Sequence, residues 1–261
     1  MSATGALAKR EVVRFLRQPS RVVGAVAPPL LVWLLIGSGF GASFRAPGSD
    51  ASPIVYFYPG IVVLVVLFAS IFATISVIED RREGFLQSVL VAPVAPHEIA
   101  LGKVLGGSAL GLLQGLLVLA FLPFLGLPLR AADAGLALLV LVLVSLALTA
   151  LGFSIAWSLE STQGFHSVMN LFLIPMWLLS GSFFPLAGAP AWLRAVMAVD
   201  PLTYGVAALR RALAPASAAG LPSFAVSLAV TSVFAAAMLA AAALLVAKNP
   251  SGPERRALRA R

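Results

Sequence analysis

Charged residues and cysteine are what this chain has least of. Only 11% of its 261 residues are Asp, Glu, Lys or Arg, and 60% are hydrophobic, whereas soluble domains carry about 25% charged residues. This balance excludes an ordinary soluble domain and indicates an integral membrane protein. The absence of cysteine excludes disulfides, thiolate metal sites and cysteine nucleophiles. Because His97 and His166 are the only histidines, we also expect no metal site.

The apolar residues group into six long runs, each close to the ~20 residues that a helix needs to cross ~30 Å of hydrocarbon. We place them at residues 22–40, 54–78, 101–125, 134–157, 167–186 and 223–247. The short alternating segments of a membrane barrel are absent from the sequence. The sequence therefore predicts an all-α integral membrane protein. We expect residues 1–261 to form a single transmembrane domain, with a six-helix bundle at 22–247.

The Lys and Arg residues predict how the bundle is oriented. An even number of spans puts both termini on one side, and that side collects thirteen basic residues against five on the other. Since basic residues concentrate on the cytoplasmic side, we expect both termini in the cytoplasm of a multi-pass protein of the inner or plasma membrane. Residues 248–261 would be a basic cytoplasmic tail. The net charge is +8, and the basic residues behind it are distributed according to the side of the membrane. We therefore expect no nucleic-acid partner.

Residues 1–21 have the pattern of an amphipathic helix. Basic residues share one stripe, and apolar residues cluster away from it. The basic residues are Arg10, Arg14, Arg17 and Arg21, and the apolar ones are Leu7, Val12, Phe15 and Leu16. We interpret the segment as a helix on the inner membrane surface, in contact with lipid, that leads into the first span. A cleaved secretory signal is the alternative.

Residues 181–221, after the fifth span, are less apolar and are interrupted by prolines. They contain two helical patches, AWLRAVMAV and TYGVAALRRAL. Neither is long enough to span a bilayer. We expect short interfacial or re-entrant helices on the outer side, with Trp192 and Tyr204 at headgroup level.

The interiors of the predicted spans contain no Asp, Glu, Lys or Arg; Gln114 and Asn170 are their most polar side chains. Transport coupled to protons or sodium ions uses ionisable or cation-binding side chains near the membrane midplane. The sequence therefore does not favour this kind of coupling. The only Gly-Lys pair, Gly102-Lys103, is followed by Val104 and lacks the pattern of a phosphate-binding loop. If ATP drives this protein, we expect the ATPase to be another chain.

One face of the third span carries glycine at every fourth position: Gly107, Gly111 and Gly115. Small residues at this spacing allow another helix to approach closely. We interpret them as packing residues within the chain.

A charged loop at residues 79–100 joins the second and third spans. It begins EDRREG, continues through the apolar FLQSVLV and breaks at Pro93 and Pro96. We expect a short helix over 79–91, with Glu79, Asp80 and Glu83 at its N-terminus, where the helix dipole favours negative charge. Such a helix fits a groove on a partner protein. The alternative is a solvated loop with a helix on the membrane surface.

Two segments resemble the type-2 ATP-binding-cassette exporter permeases. In EDRREGFLQSVLVAPVAPHEIALGK, a charged cluster and a glycine precede a leucine-rich turn, two prolines and an Ile-x-x-Gly-Lys ending. Later in the chain, LFLIPMWLLSGSFFPL followed by DPLTYGVAALR is similar to the family's fifth span and the motif after it. The sequence departs from the family at Phe85, where threonine is frequent, and at Gln87, where an acidic residue is usual.

The resemblance implies a permease subunit of an ATP-driven exporter. It implies a second permease copy, two copies of a separate ATPase subunit that bind ATP and Mg, and no cofactor on this chain. The uncharged spans favour an amphipathic or lipid-like cargo, such as a hydrophobic drug or a lipid-linked glycan. The competing interpretation is a membrane channel or scaffold that works without an ATPase.

The resemblance also assigns roles to three groups of residues. The coupling helix that contacts the ATPase would contain Glu79, Asp80, Arg81, Arg82, Glu83, Gly84, Phe85, Leu86, Val89 and Leu90. The connecting helix beside it would contain Arg10, Arg14, Phe15, Arg17 and Arg21. The outer gate and re-entrant helices would contain Gly181, Phe183, Phe184, Pro185, Pro201, Tyr204 and Arg210.

Overall fold

The computed structural model describes residues 2–40, 52–126, 130–218 and 220–249, and the regular structure of these residues is helical. Residues 250–261, most of the expected basic tail, lie outside the described residues. The described part contains ten α-helices: α1 (Ala3–Leu16), α2 (Pro19–Phe40), α3 (Pro53–Arg82), α4 (Phe85–Val91), α5 (Pro96–Leu119), α6 (Ala131–Ser158), α7 (Thr162–Trp177), α8 (Ala191–Val199), α9 (Pro201–Leu213) and α10 (Phe224–Lys248).

Six helical segments of the described part are long and apolar enough to cross a membrane, as the sequence predicted. They are Pro19–Gly39, Pro53–Arg82, Pro96–Leu125, Ala131–Ser158, Thr162–Ser182 and Phe224–Lys248. The second segment continues four residues beyond the predicted end at residue 78, and the third begins five residues before the predicted start at 101. The first extension contains charged side chains whose partners lie elsewhere in the bundle, whereas Glu98 in the second accepts locally from the backbone nitrogen of Ala95.

Helix α3 is the centre of the bundle. It packs against α2, α5 and α6. In its most apolar stretch of 18 residues, 89% of the residues are buried, whereas 17% are buried in the corresponding stretch of α2. The middle of α3 is apolar on every side, including Val62, Val63 and Val65, which is the composition expected of a helix enclosed all round.

Helix α5 packs closely against α3 and α6 because its glycines leave room for them. A Cβ atom on Gly107 would lie 2.6 Å from Cγ2 of Thr149 on α6, and one on Gly115 would lie 2.8 Å from Cγ2 of Val66 on α3. The glycine face is therefore used for packing within the chain.

The N-terminal segment forms a shorter helix than the sequence predicted. Helix α1 ends at Leu16, and α2 starts at Pro19, because proline is well suited to the first position of a new helix. Arg17 is thus the residue that ends α1, and Arg21 belongs to α2. Leu7, Glu11 and Phe15 form the buried face of α1, whereas Leu16 is half exposed.

Two short helices follow α7, as predicted. The chain first makes a π-helical turn over Leu178–Ser182, in which Gly181 has φ of +79°. Helix α8 then leads directly into α9 through Asp200. Most of α9 is buried, and it packs against α6 and α10. The position of both helices relative to the membrane stays a prediction.

Candidate functional site

The charged block at residues 79–83 lies at the end of α3, so the prediction that it opens a short helix is wrong. Helix α3 runs to Arg82, Glu83 ends it, and Gly84 adopts the left-handed conformation with φ of +76°. Glycine takes this conformation without steric cost and commonly ends a helix. The short helix α4 therefore contains only Phe85–Val91.

This boundary puts three carboxylates at the wrong end of a helix dipole, because negative charge is disfavoured at a helix C-terminus. Cationic side chains from other helices compensate for it. Asp80 is fully buried, and Arg10 donates to its two oxygens, with both distances 2.8 Å. Arg14 donates to Oδ1 of Asp80 at 2.5 Å, and Nζ of Lys103 donates to Oδ2.

The other two carboxylates of α3 also bind arginines. Glu79 accepts from Arg14 at 3.0 Å and from Arg21. Glu83, which is more exposed, accepts from Arg14 at 3.3 Å. Arg14 therefore contacts all three carboxylates and joins α1 to the end of α3.

Glu11 is a buried carboxylate from α1 that extends the network toward α5. Its Oε1 accepts from Lys103 at 2.7 Å and from Arg10 at 3.2 Å, and its Oε2 accepts from the Ser76 hydroxyl at 2.5 Å. Helix α1 approaches α5 closely here, since a Cβ atom on Gly106 would lie 2.7 Å from Cβ of Glu11.

We call these residues the ionic cluster: Arg10, Arg14, Arg21, Lys103, Glu11, Glu79, Asp80 and Glu83. Four cations face four carboxylates, so the formal charges cancel. The hydrogen bond to Asp80 raises the pKa of Arg10 above its ordinary value, against the opposing effect of burial. Buried charges are tolerated only when they are paired in this way. The cluster therefore joins four helices, α1, α2, α3 and α5, at one end of the bundle.

Sequence reasoning missed Glu11, Ser76 and Lys103 as members of this site. Lys103 entered the sequence analysis through the count of basic residues, the Gly-Lys pair and the Ile-x-x-Gly-Lys ending, but not as a partner of a carboxylate. Glu11 carried a usable signal, because it shares a helical stripe with Leu7 and Phe15 at four-residue spacing and is the only acid in residues 1–21.

Arg81 points away from the ionic cluster and binds the end of α6. Its guanidinium donates to the carbonyl oxygens of Leu159 at 2.8 Å and Trp157 at 2.9 Å. The indole nitrogen of Trp157 in turn donates to the carbonyl oxygen of Asn249 at 3.0 Å. The ends of α3, α6 and α10 are therefore fastened together beside the cluster.

Burial divides the ten residues that were expected to contact an ATPase. Asp80, Arg81 and Leu86 are buried, so a partner protein cannot reach them directly. Glu79, Phe85 and Val89 are half-buried, and the side chain of Leu90 lies outside the described residues. The exposed residues at and beside α4 form what we call the α4 surface: Arg82, Glu83, Gln87, Ser88, Val91, Ala92 and Pro93.

At the opposite end of the bundle, Arg210 joins three elements. It is buried; its NH2 group donates to the carbonyl oxygen of Gly181 at 3.1 Å, and its guanidinium lies 4.2 Å from the ring centre of Tyr56. Phe183 packs on Phe57, with ring centres 5.6 Å apart. Two predicted gate residues, Gly181 and Phe183, therefore lie with Arg210 at the start of α3.

The remaining predicted gate residues are spread along the same segment. Phe184 packs edge-on against Phe183, and Pro185 precedes a short helical turn at Leu186–Gly188. Pro201 is the first residue of α9. The Tyr204 hydroxyl donates to the carbonyl oxygen of Ala198 at 2.9 Å, which ties α9 to α8.

Asp200, which sequence reasoning did not select, caps α9 and is buried. Its Oδ1 accepts from the backbone nitrogen of Leu202 at 2.9 Å, while Oδ2 has no hydrogen-bond partner among the described residues. Burial raises the pKa of Asp200 to about 7, although the hydrogen bond from Leu202 acts in the opposite direction.

Six helices long and apolar enough to span a membrane, with a short helix that contacts a neutral ionic cluster at one end, are the features of a membrane permease domain. These 261 residues contain no phosphate-binding loop. A sequence profile of the ABC-2 type transporter family matches residues 2–214. The chain therefore belongs to this family, and these residues form a multi-pass transport subunit.

Several known permeases are similar to this chain. The transport permease ycf38 of Cyanophora paradoxa is 28% identical over 78% of this chain and 71% of its own length. The inner membrane transport permease YadH of Escherichia coli is 27% identical over 77% of this chain and 78% of its own length. The multidrug ABC transporter permease YbhR of the same species is 29% identical over 55% of this chain, but over only 39% of its own length.

Proposed function

We propose that this protein is the membrane-spanning half of an ATP-driven exporter, and that a separate ATPase subunit docks on the α4 surface. The observation that carries the proposal is a short helix with an exposed outer face, which is anchored in the apolar core by Leu86 and contacts the ionic cluster through Phe85 and Arg10. Val91 is 87% exposed on that helix, whereas Leu86 is 2% exposed. Val91 is followed by Ala92 and Pro93, which are also exposed, and a contiguous apolar patch with a polar rim is typical of a protein-binding surface.

The mechanism that we propose is a lever. Closure of the ATPase dimer on ATP would push α4, and the ionic cluster would pass the displacement to α1, α3 and α5. Helix α3 continues from the cluster to Tyr56, beside Arg210 and Gly181. A movement of α3 along its axis would therefore disturb contacts at the opposite end and open a path outward.

An amphipathic or lipid-like cargo suits this bundle best. The charged side chains of the spanning segments in the described residues lie at their ends, as Asp80 and Lys103 do. The middle of the bundle offers hydroxyls such as Ser70 and Thr149, which already bond to each other at 3.1 Å. A strongly charged cargo would meet few compensating groups there. A hydrophobic drug and a lipid-linked glycan both satisfy this condition, and YbhR carries the name of a multidrug permease.

A second copy of this chain would complete the transport path, with one ATPase bound to each copy. Helices α2 and α7 lie against α3 on one side and leave large apolar residues exposed on the other, including Leu34, Leu35 and Phe172. These faces are available to a partner permease or to lipid. We place the complex in the inner or plasma membrane with the α4 surface and both termini in the cytoplasm, in keeping with the thirteen basic residues assigned to that side.

Purification from native membranes tests the proposal. We expect the tagged protein to retain a stoichiometric ATPase in mild detergent. Gln87→Arg on the α4 surface should remove that partner, because a bulky cation there disrupts a fitted interface. Gln163→Arg is the matched control, since Gln163 is an exposed glutamine at the start of α7, at the same end of the bundle. Its ATPase content should equal that of the wild type.

The opposite result would favour the competing class, a channel or scaffold that works without an ATPase. It would consist of a correctly assembled wild-type protein that carries no ATPase and still moves solute. If the Gln87→Arg variant and the wild type retained equal amounts of the ATPase, the α4 surface would be excluded as the docking surface. Replacing the whole carboxylate cluster would be a poorer test, because Asp80 is buried and its loss would disturb the bundle itself.

A further inference from the structure

We propose that Arg10 is a positioning residue that fixes α4 to the N-terminal helix α1, and that the ring of Phe85 is its contact on α4. The guanidinium of Arg10 lies 3.6 Å from the ring centre of Phe85. The same group is held by both oxygens of Asp80 at 2.8 Å. One side chain of α1 thereby touches the last turn of α3 and the first residue of α4.

The geometry of this contact needs arginine. A guanidinium is planar, so it binds a carboxylate through its edge and an aromatic ring through its face at the same time. Lysine carries a point charge and provides only one of these contacts well. Asp80 orients the guanidinium, and the side chain of Arg10 is about one-third exposed, so solvent screens the contact with Phe85 only in part.

Phe85 is the first residue of α4, so its contact with Arg10 acts at the point where the chain leaves the end of α3. Gly84, immediately before it, has φ of +76°, and a Cβ atom there would have no neighbour within 4 Å. Leu86 anchors α4 in the apolar core, and the contact of Phe85 with Arg10 ties α4 to α1.

The inference about positioning stands on the contacts alone, and its consequence for transport rests on the proposed function. If an ATPase moves α4, Arg10 makes α1 move with it. Helix α1 also packs on α5 through Gly102 and Gly106. The push would then reach α5 by way of α1 as well as reaching α3 directly.

Distance measurements on the full chain in lipid nanodiscs test the positioning role. The protein has no native cysteine, so spin labels can be placed on α1 and α4 by Ala6→Cys and Ser88→Cys, both at exposed positions. We expect a narrow distance distribution in the wild-type background. Phe85→Leu should lose the narrow component, and Phe85→Tyr should keep it because the ring face remains.

Two controls separate positioning from general damage. Phe68→Leu removes another half-buried ring, which packs against Phe72, and it should leave the α1–α4 distances unchanged. A second label pair, Ala6→Cys with Gln163→Cys, reports α1 against α7 and should stay narrow in Phe85→Leu. If Phe85→Leu does not fold, Arg10→Lys takes its place and should also lose the narrow α1–α4 component. Unchanged α1–α4 distances in the folded variant would overturn the proposal.

The transmission role is measured on the complex with the co-purified ATPase. Trapping with ATP and vanadate should shift the Ala6–Gln163 distance in the wild type, and the shift should be lost in Phe85→Leu and restored in Phe85→Tyr. A full shift in Phe85→Leu would overturn transmission through Arg10. If no ATPase co-purifies with the wild type, the proposed function fails, whereas the nanodisc distances still decide whether Arg10 positions α4.

Discussion

Lys103 is the residue on which the buried part of the ionic cluster depends most. Its ammonium group binds both Glu11 and Asp80, and all three side chains are almost completely buried. A buried carboxylate without a counter-ion is far more costly than an exposed one. The shared cation therefore stabilises two otherwise unfavourable charges at once.

Lys103→Met should lower the free energy of unfolding by about 3–5 kcal/mol, because it leaves Glu11 and Asp80 short of positive charge while keeping the apolar stem. Thermal unfolding in a fixed detergent measures the loss. Lys9→Met is the matched control, since Lys9 is exposed on α1, and it should change stability by no more than about 0.5 kcal/mol. Equal stability of the two variants would show that the ion pairs contribute nothing net.

Asp200 should make the outer segment sensitive to pH. Its pKa is about 7 in the folded protein, against an ordinary value of 3.8. Between these two pH values the folded state binds a proton on Asp200 that the unfolded state has lost. Stability should therefore be full below pH ~4, fall as the pH rises toward 7 and stay low above it.

Asp200→Asn should remove this dependence and raise the melting temperature at pH 8, since asparagine also caps a helix well. Melting curves between pH 5 and pH 8 measure both effects. Asp133→Asn, in the first turn of α6, is the control and should leave the pH profile of the wild type unchanged. A profile that is equally steep in Asp200→Asn would assign the pH dependence to another group.

At the scale of the helices, the sequence was sufficient to predict the six spans but not the residues at which they begin and end. Apolar length alone identified all six, because a bilayer requires about 20 such residues. The end of α3 was misplaced because the partners of Asp80 lie far away in sequence: Arg10 is 70 residues earlier and Lys103 is 23 later. Gly84 was the local signal for the true boundary, since glycine commonly follows the end of a helix.

The close approach of α1 to α5 gives a prediction at the same scale. A Cβ atom on Gly106 would lie 2.9 Å from the carbonyl oxygen of Ala8, which is backbone and cannot move alone. Gly106→Ala should therefore push α1 outward and lower stability by about 1–3 kcal/mol. Gly135→Ala on α6, where nothing lies within 4 Å, should be neutral or stabilising, because alanine favours helix. Thermal unfolding compares the two variants, and similar melting temperatures would contradict the close packing of α1.

At the scale of the whole molecule, the bundle has two chemically different ends. One contains the ionic cluster and the α4 surface, and the other contains the contacts of Arg210 and the helices α8 and α9. Helix α3 connects them over 30 residues, about 45 Å of helix. Periodicity and charge counting predicted this polarity, but the pairing of individual side chains at either end required the folded structure.

Labelling of single cysteines tests the orientation of these ends. Ser88→Cys on α4 should react with a membrane-impermeant maleimide only in inverted vesicles, and Ala195→Cys on α8 should react in intact cells. Both positions are exposed, and no native cysteine interferes. The reverse pattern would place α4 outside and would contradict docking of a cytoplasmic ATPase.

The ionic cluster also sets an order for the assembly of the chain during its synthesis. Helix α1 is synthesised before its partners, because the residues that neutralise Arg10 and Arg14 lie at 79–83 and Lys103 completes the cluster later still. Two spans must be inserted before the carboxylates of α3 face the arginines, and a third must begin before Glu11 gains its lysine. Helix α1 is therefore locked in place only after Lys103, which lies 92 residues beyond Glu11, has been translated.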